Sequence, residues 1–387
     1  MEAPTRENPR ILVGASIPRS GHHFLADMLT AYYGEDLYYC EYYTPKSCCR
    51  SMPCTRRGKH RIVYQKSHDQ DFSLAADEKE ALYLIQYRQP VPEALSDREL
   101  DLKEGSGRPR LAYRKTRAGY LNWLARKAIY YRKFHDKWIA GNIPNAIYLD
   151  YGELAADPKK FLRAIVERTT GDADDARLNA VIEKTRAPRS NPFFKPRVIA
   201  DSPYFDAKLL GALEAWVLQR CPLYNFQSEL HGSYAGSELY GLILLKDSTE
   251  PLPAGEKKRI EVAAKFAPDH PEIQRRLAAK AIKAGRSAEG MKVLEKVIAA
   301  NPYFGTAYNL LFSASAEVGL PVPDSVLTDD AFVACADSTE LAIQLGNAFG
   351  DKGVWAKAAK AFELALVLEP ENPEASARHA AATQAAR

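Results

Sequence analysis

The sequence predicts an α/β domain with a parallel sheet, followed by an all-α domain of paired helices. Three observations predict it. Short apolar runs of strand type (Ile11 to Val13, Arg61 to Tyr64, Leu82 to Tyr87, Ala146 to Leu149) alternate with segments of helical period. The first run passes through a tight polar turn, Gly14 to Gly21, into Phe24, Leu25, Met28 and Leu29, which recur at helical spacing. Beyond residue 255 the composition shifts to Ala, Leu, Lys and Glu, and a 34-residue period sets in. The expected division is an α/β domain over 1–230, a Gly-, Ser- and Pro-bearing connector over 231–255, and helical repeats over 256–387.

Bulk properties narrow the function. A length of 387 residues suits two or three domains, and 46% hydrophobic with 26% charged residues is ordinary for a globular chain. A net charge of +4 is too small for a general polyanion binder, so no nucleic-acid partner is expected and any basic effect is local. No apolar run approaches the ~18 residues of a membrane span, and the N-terminal residues lack an apolar region of signal-peptide type. A cytoplasmic protein with no membrane span is the expectation.

The first strand–loop–helix aims backbone N–H groups at one point, and the helix N-terminus adds partial positive charge there, which suits an anion such as a phosphate. Arg19 adds a bidentate positive partner. The ATP/GTP form of such a loop requires Gly, four residues, then Gly-Lys-Ser/Thr. Here Gly21 is followed by His22 and His23, and six residues separate it from Gly14. Pro18-Arg19-Ser20-Gly21 instead resembles the 5′-phosphosulfate loop of sulfotransferases, Pro-Lys/Arg-Ser-Gly-Thr-Thr. The alternative is ordinary strand–turn–helix punctuation.

Two further motifs extend the resemblance. Lys66-Ser67-His68, directly after a strand, is similar to the Lys-Thr-His of cytosolic sulfotransferases. Arg88 ends the strand Leu82 to Tyr87 and Ser96 follows eight residues later, similar to the Arg and Ser with which the family holds the 3′-phosphate. The resemblance covers roughly residues 8 to 228. It implies a P-loop-like, three-layer domain using 3′-phosphoadenosine 5′-phosphosulfate (PAPS), with no metal required. Pro18, Arg19, Ser20, Gly21, His22 and His23 would hold the 5′-phosphosulfate, and Arg88 and Ser96 the 3′-phosphate. Lys66 would meet the departing oxygen, and His68 would be the general base. Four departures stand out. His22-His23 replaces Thr-Thr, and Gln89 replaces the usual Asp. The family's Arg-Lys-Gly is absent from the loop Thr185 to Tyr204, which carries Arg186, Arg189, Lys195 and Arg197. Glu41 lies where some Golgi-type members place a base.

The remaining elements follow in order. Tyr38 to Arg61 reads as an irregular, basic, tyrosine-rich loop (Tyr38, Tyr39, Tyr42, Tyr43, Lys46, Arg50, Arg56, Arg57, Lys59) suited to an anionic, sugar-bearing acceptor or simply solvated. Cys40, Cys48, Cys49 and Cys54 cluster there. Zinc binding, a disulfide clip and reduced thiols are the readings, with reduced thiols preferred because the spacing matches no standard Cys-x2-Cys pair. Leu111 to Ala140 predicts an amphipathic helix with Tyr120, Leu124, Tyr131, Phe134 and Trp138 as core. Asp157 reads as an N-cap with Pro158 at the first helical position, and a helix over Ala207 to Arg220 ends the domain.

Gly285, Gly319 and Gly353 are 34 residues apart, as are Leu277, Leu311 and Leu345. That is the period of the tetratricopeptide repeat, a helix–turn–helix unit that stacks to expose a concave face for a partner or for self-association. The middle repeat is degraded after Gly319 by Leu-Pro-Val-Pro-Asp324. The functional expectation is therefore a PAPS-dependent sulfotransferase acting on a hydroxyl-bearing acceptor, a glycan above all. The alternatives are a P-loop-like kinase using ATP, or a non-catalytic scaffold acting through its repeats.

Overall fold

The computed structural model describes residues 10–42, 48, 51–52, 54–55, 60–76, 80–104, 111–186 and 198–387. Its five strands are β1 (Arg10–Ser16), β2 (Leu37–Glu41), β3 (Ile62–Ser67), β4 (Leu82–Tyr87) and β5 (Ala146–Asp150). They pair in parallel in the order β2-β3-β1-β4-β5. β1, β3 and β4 are buried along nearly their whole length, which is why they read as runs rather than alternations. β2 corrects the expectation of irregular chain from Tyr38 onward. Pairing with β3 satisfies its backbone, and Leu37 and Cys40 are buried on opposite faces of the sheet.

The helices of the first half are α1 (His22–Tyr33), α2 (Pro90–Glu104), α3 (Leu111–Lys115), α4 (Arg117–Phe134), α5 (Tyr151–Ala156), α6 (Pro158–Thr170), α7 (Asp175–Arg186) and α8 (Ala207–Arg220). Leu25, Met28, Phe161, Ile165 and Leu178 of α1, α6 and α7 pack with Leu12, Tyr64, Leu84 and Leu149 on one face of the sheet. Tyr83, which alternates to the other face, meets Trp138 with ring centroids 6.0 Å apart. Helical layers thus cover both faces. The helix predicted over Leu111 to Ala140 is interrupted: α3 and α4 are separate, and His135–Ile139 closes as a wider π-type turn. Asp157 caps α6 as predicted, accepting from the Lys160 N–H at 3.1 Å.

The chain divides into two compact units, 1–100 with 127–233 and 101–126 with 234–387. This differs from the expected boundaries, because residues 101–126 group with the helical repeats. The segment expected to be a connector holds α9 (Glu238–Lys246), in which Leu239, Leu242, Ile243, Leu244 and Leu245 are all buried. A helix apolar nearly all round must be enclosed.

In the second unit α10 (Arg259–Phe266) is followed by α11 (Pro271–Lys283), α12 (Ser287–Ala300), α13 (Gly305–Val318), α14 (Asp329–Cys335), α15 (Thr339–Asp351), α16 (Trp355–Leu368) and α17 (Pro373–Ala385). α11, α13, α15 and α17 begin at intervals of 34 residues. Gly285, Gly319 and Gly353 follow three of them with φ of 77°, 66° and 70°, the left-handed turn that ends a helix. A Cβ on Gly346 would lie 2.5 Å from the Phe362 ring, so glycine sets how closely α15 and α16 approach. No helix among the described residues is long and apolar enough to cross a membrane.

One buried polar cluster ties α2 to α4. Lys127 Nζ lies 2.6 Å from both Glu93 Oε1 and Asp97 Oδ2. Burial pushes the Glu93 carboxyl up from 4.5 to about 7, only partly opposed by Lys127. A carboxyl whose folded value is raised contributes stability that is fully present below the unfolded value and lost as pH rises through the folded one. Between pH 5 and pH 8 the wild type should therefore lose on the order of 1–3 kcal/mol relative to Glu93→Gln. Denaturant unfolding of both proteins at the two pH values measures this, and a pH-independent difference refutes it.

Candidate functional site

All five strands run the same way, so their C-terminal ends meet along one edge. β1 lies between β3 and β4, and the chain crosses over it between those two strands. Open α/β sheets bind ligands where the chain changes direction in this manner. The Ile17–Gly21 loop leaves β1 at that point. Ile17 N–H donates to the Gln86 carbonyl of β4 at 3.0 Å, and the buried Ser20 hydroxyl donates back to the Ile17 carbonyl at 2.6 Å. Arg19 holds φ 62° and Gly21 φ 85°; a left-handed non-glycine residue is uncommon and marks a constrained loop. Gly21, the residue that opens α1, has no side chain with which to cap it.

Three of the sequence-expected residues come together beside this loop. Arg19 Nε donates to Ser96 Oγ at 3.0 Å, and Arg88 Nη1 donates to the Arg19 carbonyl at 3.1 Å. The Arg88 guanidinium sits 4.5 Å from the centre of the Tyr151 ring, and the Tyr131 hydroxyl donates to the Arg88 carbonyl at 2.9 Å. Arg19 was expected at one end of a nucleotide and Ser96 at the other; here they are bonded directly.

Lys66 and His68 occupy the tip of β3. Lys66 is fully buried, and its Nζ lies 2.8 Å from His68 Nε2. His68 Nδ1 lies 2.8 Å from the Ser16 carbonyl, a position that takes a proton on Nδ1 and leaves the Nε2 lone pair to accept from Lys66. Burial holds Lys66 well below the ordinary lysine value. Burial and the neighbouring Lys66 hold His68 well below the ordinary histidine value. His68 is half-buried and lines a cavity of about 490 Å³ with Tyr42, Ser67, Asp69, Gln70, Asp71 and Ser73.

His22 is buried at the start of α1. Its ring centre lies 4.0 Å from that of His23 and 4.8 Å from that of His68, edge to face. Burial, then the charges of Lys66 and His68, depress it strongly. Glu41, at the tip of β2, is in register with Lys66 and accepts from the Tyr39 hydroxyl at 3.0 Å.

Asp69 escaped the sequence reading. Its Oδ1 accepts from the Leu74 N–H at 2.7 Å, and its Oδ2 from Lys137 Nζ at 2.7 Å and Trp138 Nε1 at 2.8 Å. It holds the loop that walls the cavity. The only sequence signal was its place directly after His68. Cys40, Cys48 and Cys54 are buried with Val63. They are free thiols, with Cys40 and Cys48 sulfurs 3.9 Å apart. Tyr43, Lys46, Cys49, Arg50, Arg56, Arg57, Lys59, Arg189, Lys195 and Arg197 lie outside the described residues.

A Cβ on Gly21 would lie 2.5 Å from the Tyr151 ring. Gly21→Ala should therefore cost about 2–3 kcal/mol, part backbone strain and part overlap. In a Tyr151→Ala background the cost should fall to about 1 kcal/mol. Chemical denaturation of the four proteins in the cycle checks it; equal costs in both backgrounds contradict the steric account.

No protein-family model matches the chain, and no curated protein does either. Among solved structures, the human IFIT1 dimer with m7Gppp-AAAA is similar at a TM-score of 0.26 and 16% identity, over 81% of this chain and 71% of that one. A likeness of that degree carries no argument about fold or function.

Proposed function

We propose that the chain is a PAPS-dependent sulfotransferase whose helical unit is a tetratricopeptide-repeat module for a partner or for self-association. The observation that carries the reading is the gathering of Arg19, Arg88 and Ser96 at the tips of β1 and β4, beside Lys66 and His68 at the tip of β3. In this reading the α/β unit is P-loop-like. PAPS fits the donor set: two guanidinium groups that stay charged, a helix start and a serine hydroxyl suit a ligand rich in anionic oxygens. When bound, it supplies an activated sulfuryl group.

The chain's own residues do the rest. Arg19 and the first-turn amides of α1 hold the 5′ side, and Arg88 with Ser96 holds the 3′ side. Ser96 reaches its phosphate when Arg19 releases it. Lys66 moves from His68 to the oxygen that gains negative charge, and that move frees the Nε2 lone pair of His68. His68 then takes the proton of an acceptor hydroxyl held in the cavity it lines, while the Ser16 carbonyl keeps the ring oriented. Glu41 is less suited to this role, because it is not among the described residues lining that cavity. Tyr42 at the cavity wall suits a glycan face, and a glycan is the proposed acceptor class.

Calorimetry with adenosine 3′,5′-bisphosphate tests the reading. Binding in the micromolar range is expected, weakened at least ~10-fold by Arg88→Ala through the loss of a charge-assisted contact. His68→Ala should leave that binding nearly intact and lower kcat by ~10² to 10⁴. No binding of the bisphosphate favours a scaffold working through its repeats, and magnesium-dependent binding of ATP in its place favours a kinase.

A further inference from the structure

We propose that His22, His23 and Glu41 form a site for a divalent transition-metal ion of the zinc class, at the junction of α1 and the tip of β2. One ligand atom from each residue lies within 4.8 Å of the other two, and no other such group of three occurs among the described residues. His23 Nδ1 stands 4.0 Å from Glu41 Oε1. Ligands on a tetrahedral zinc ion at about 2.0–2.2 Å sit roughly 3.3–3.5 Å apart. Closing the set therefore takes side-chain movements of about 1 Å, and the exposed His23 is able to make them.

An independent observation points the same way. His22 is only 6% exposed, and neither of its ring nitrogens has a hydrogen-bond partner. Leaving buried polar groups unsatisfied costs about 1–3 kcal/mol each. A helix that needed only to pack here would be better served by Leu or Phe. Coordination gives one of those nitrogens a partner. Glu41 is already steadied in the manner of a metal ligand, since the Tyr39 hydroxyl donates to its Oε1 at 3.0 Å.

The donor set selects the ion. Two imidazoles and one carboxylate favour zinc, cobalt, nickel or copper over magnesium and calcium, which prefer all-oxygen sites. Three protein ligands leave a coordination position for water or an anionic oxygen. Asp27 on α1 adds negative charge near His23, while Lys66 and Arg19 are the cations facing the cluster. Glu41 supplies the anionic oxygen of the set. The site does not depend on the sulfotransferase reading, and no step of that reaction is routed through it.

The experiment uses the full-length chain, stripped by chelator and kept reduced, and titrated with Co²⁺ and with Zn²⁺ against a chromophoric chelator. One equivalent should bind, with a cobalt spectrum free of thiolate charge transfer. His22→Ala, His23→Ala and Glu41→Gln should each weaken binding ~10-fold or more. Zinc should raise the melting temperature of the wild type and not of the variants. His23 is exposed, so its substitution stays interpretable should His22→Ala fold poorly. Absence of binding, or binding unchanged in His23→Ala and Glu41→Gln, overturns the proposal. So does a thiolate charge-transfer band lost in Cys40→Ser, which moves the ion to the cysteine cluster. A chain that binds metal but not the bisphosphate separates this proposal from the enzymatic one.

Discussion

The pairing of β1 between β3 and β4 is the constraint on which the site rests. Parallel strands end at the same edge, so three segments far apart in sequence must deliver their last residues within a few ångströms of one another. Register then settles which residues those are. Glu41 stands opposite Lys66, Ala15 opposite Ser67, and Ser16 opposite Gln86. A slip of one residue in β3 would turn Lys66 to the other face of the sheet and dismantle the contact with His68. Gly14 guards the pairing, because a Cβ there would lie 2.8 Å from the Tyr64 ring on β3.

Two kinds of positive group meet along this edge. The guanidinium groups of Arg19 and Arg88 cannot lose their charge, and backbone and hydroxyl partners hold them in place. Lys66, His68 and His22 are different. Burial makes charge on them costly, so each is held toward its neutral form. The permanent charges are thus suited to anchoring an anion. The suppressed ones are suited to responding to it, since a negative oxygen near Lys66 repays the desolvation that keeps its ammonium from forming. In the proposed reaction Lys66 takes a proton from solvent as the anionic donor binds, and its ammonium then faces the oxygen that gains charge.

Much of this was legible in the sequence, for identifiable reasons. β1, β3 and β4 announced themselves because strands buried on both faces are continuous apolar runs, and the Arg19, Lys66, His68 and Arg88 positions lie at the ends of such runs or just past them. The 34-residue period was legible because stacked repeats impose the same demands at each interval. β2 was hidden because Tyr38, Tyr39 and Glu41 leave it only one fully buried residue on each face, Leu37 and Cys40, and so no alternation to read. The roles of Asp69 and Tyr151 were hidden for another reason. They act through partners distant in sequence, as Asp69 does through Lys137 and Trp138, and one chain read alone carries no signal of such pairings.

The helical unit shows how a broken repeat reshapes a surface. By the period of the flanking repeats, a second helix should occupy residues 321–334, as α12 and α16 do in their own pairs. Pro323 disfavours its first turn, because it holds Val322 away from the helical region. The chain fills the space instead with Val322 and Val326, both buried, and resumes a helix only at Asp329. An irregular segment cannot fill a helix-shaped space completely. The remainder is a cavity of about 400 Å³ bounded by Phe312, Leu320, Pro321, Val322 and Ala348. The α13 and α15 faces that a regular repeat would cover are thus partly open, because the chain runs irregular where the period calls for a helix.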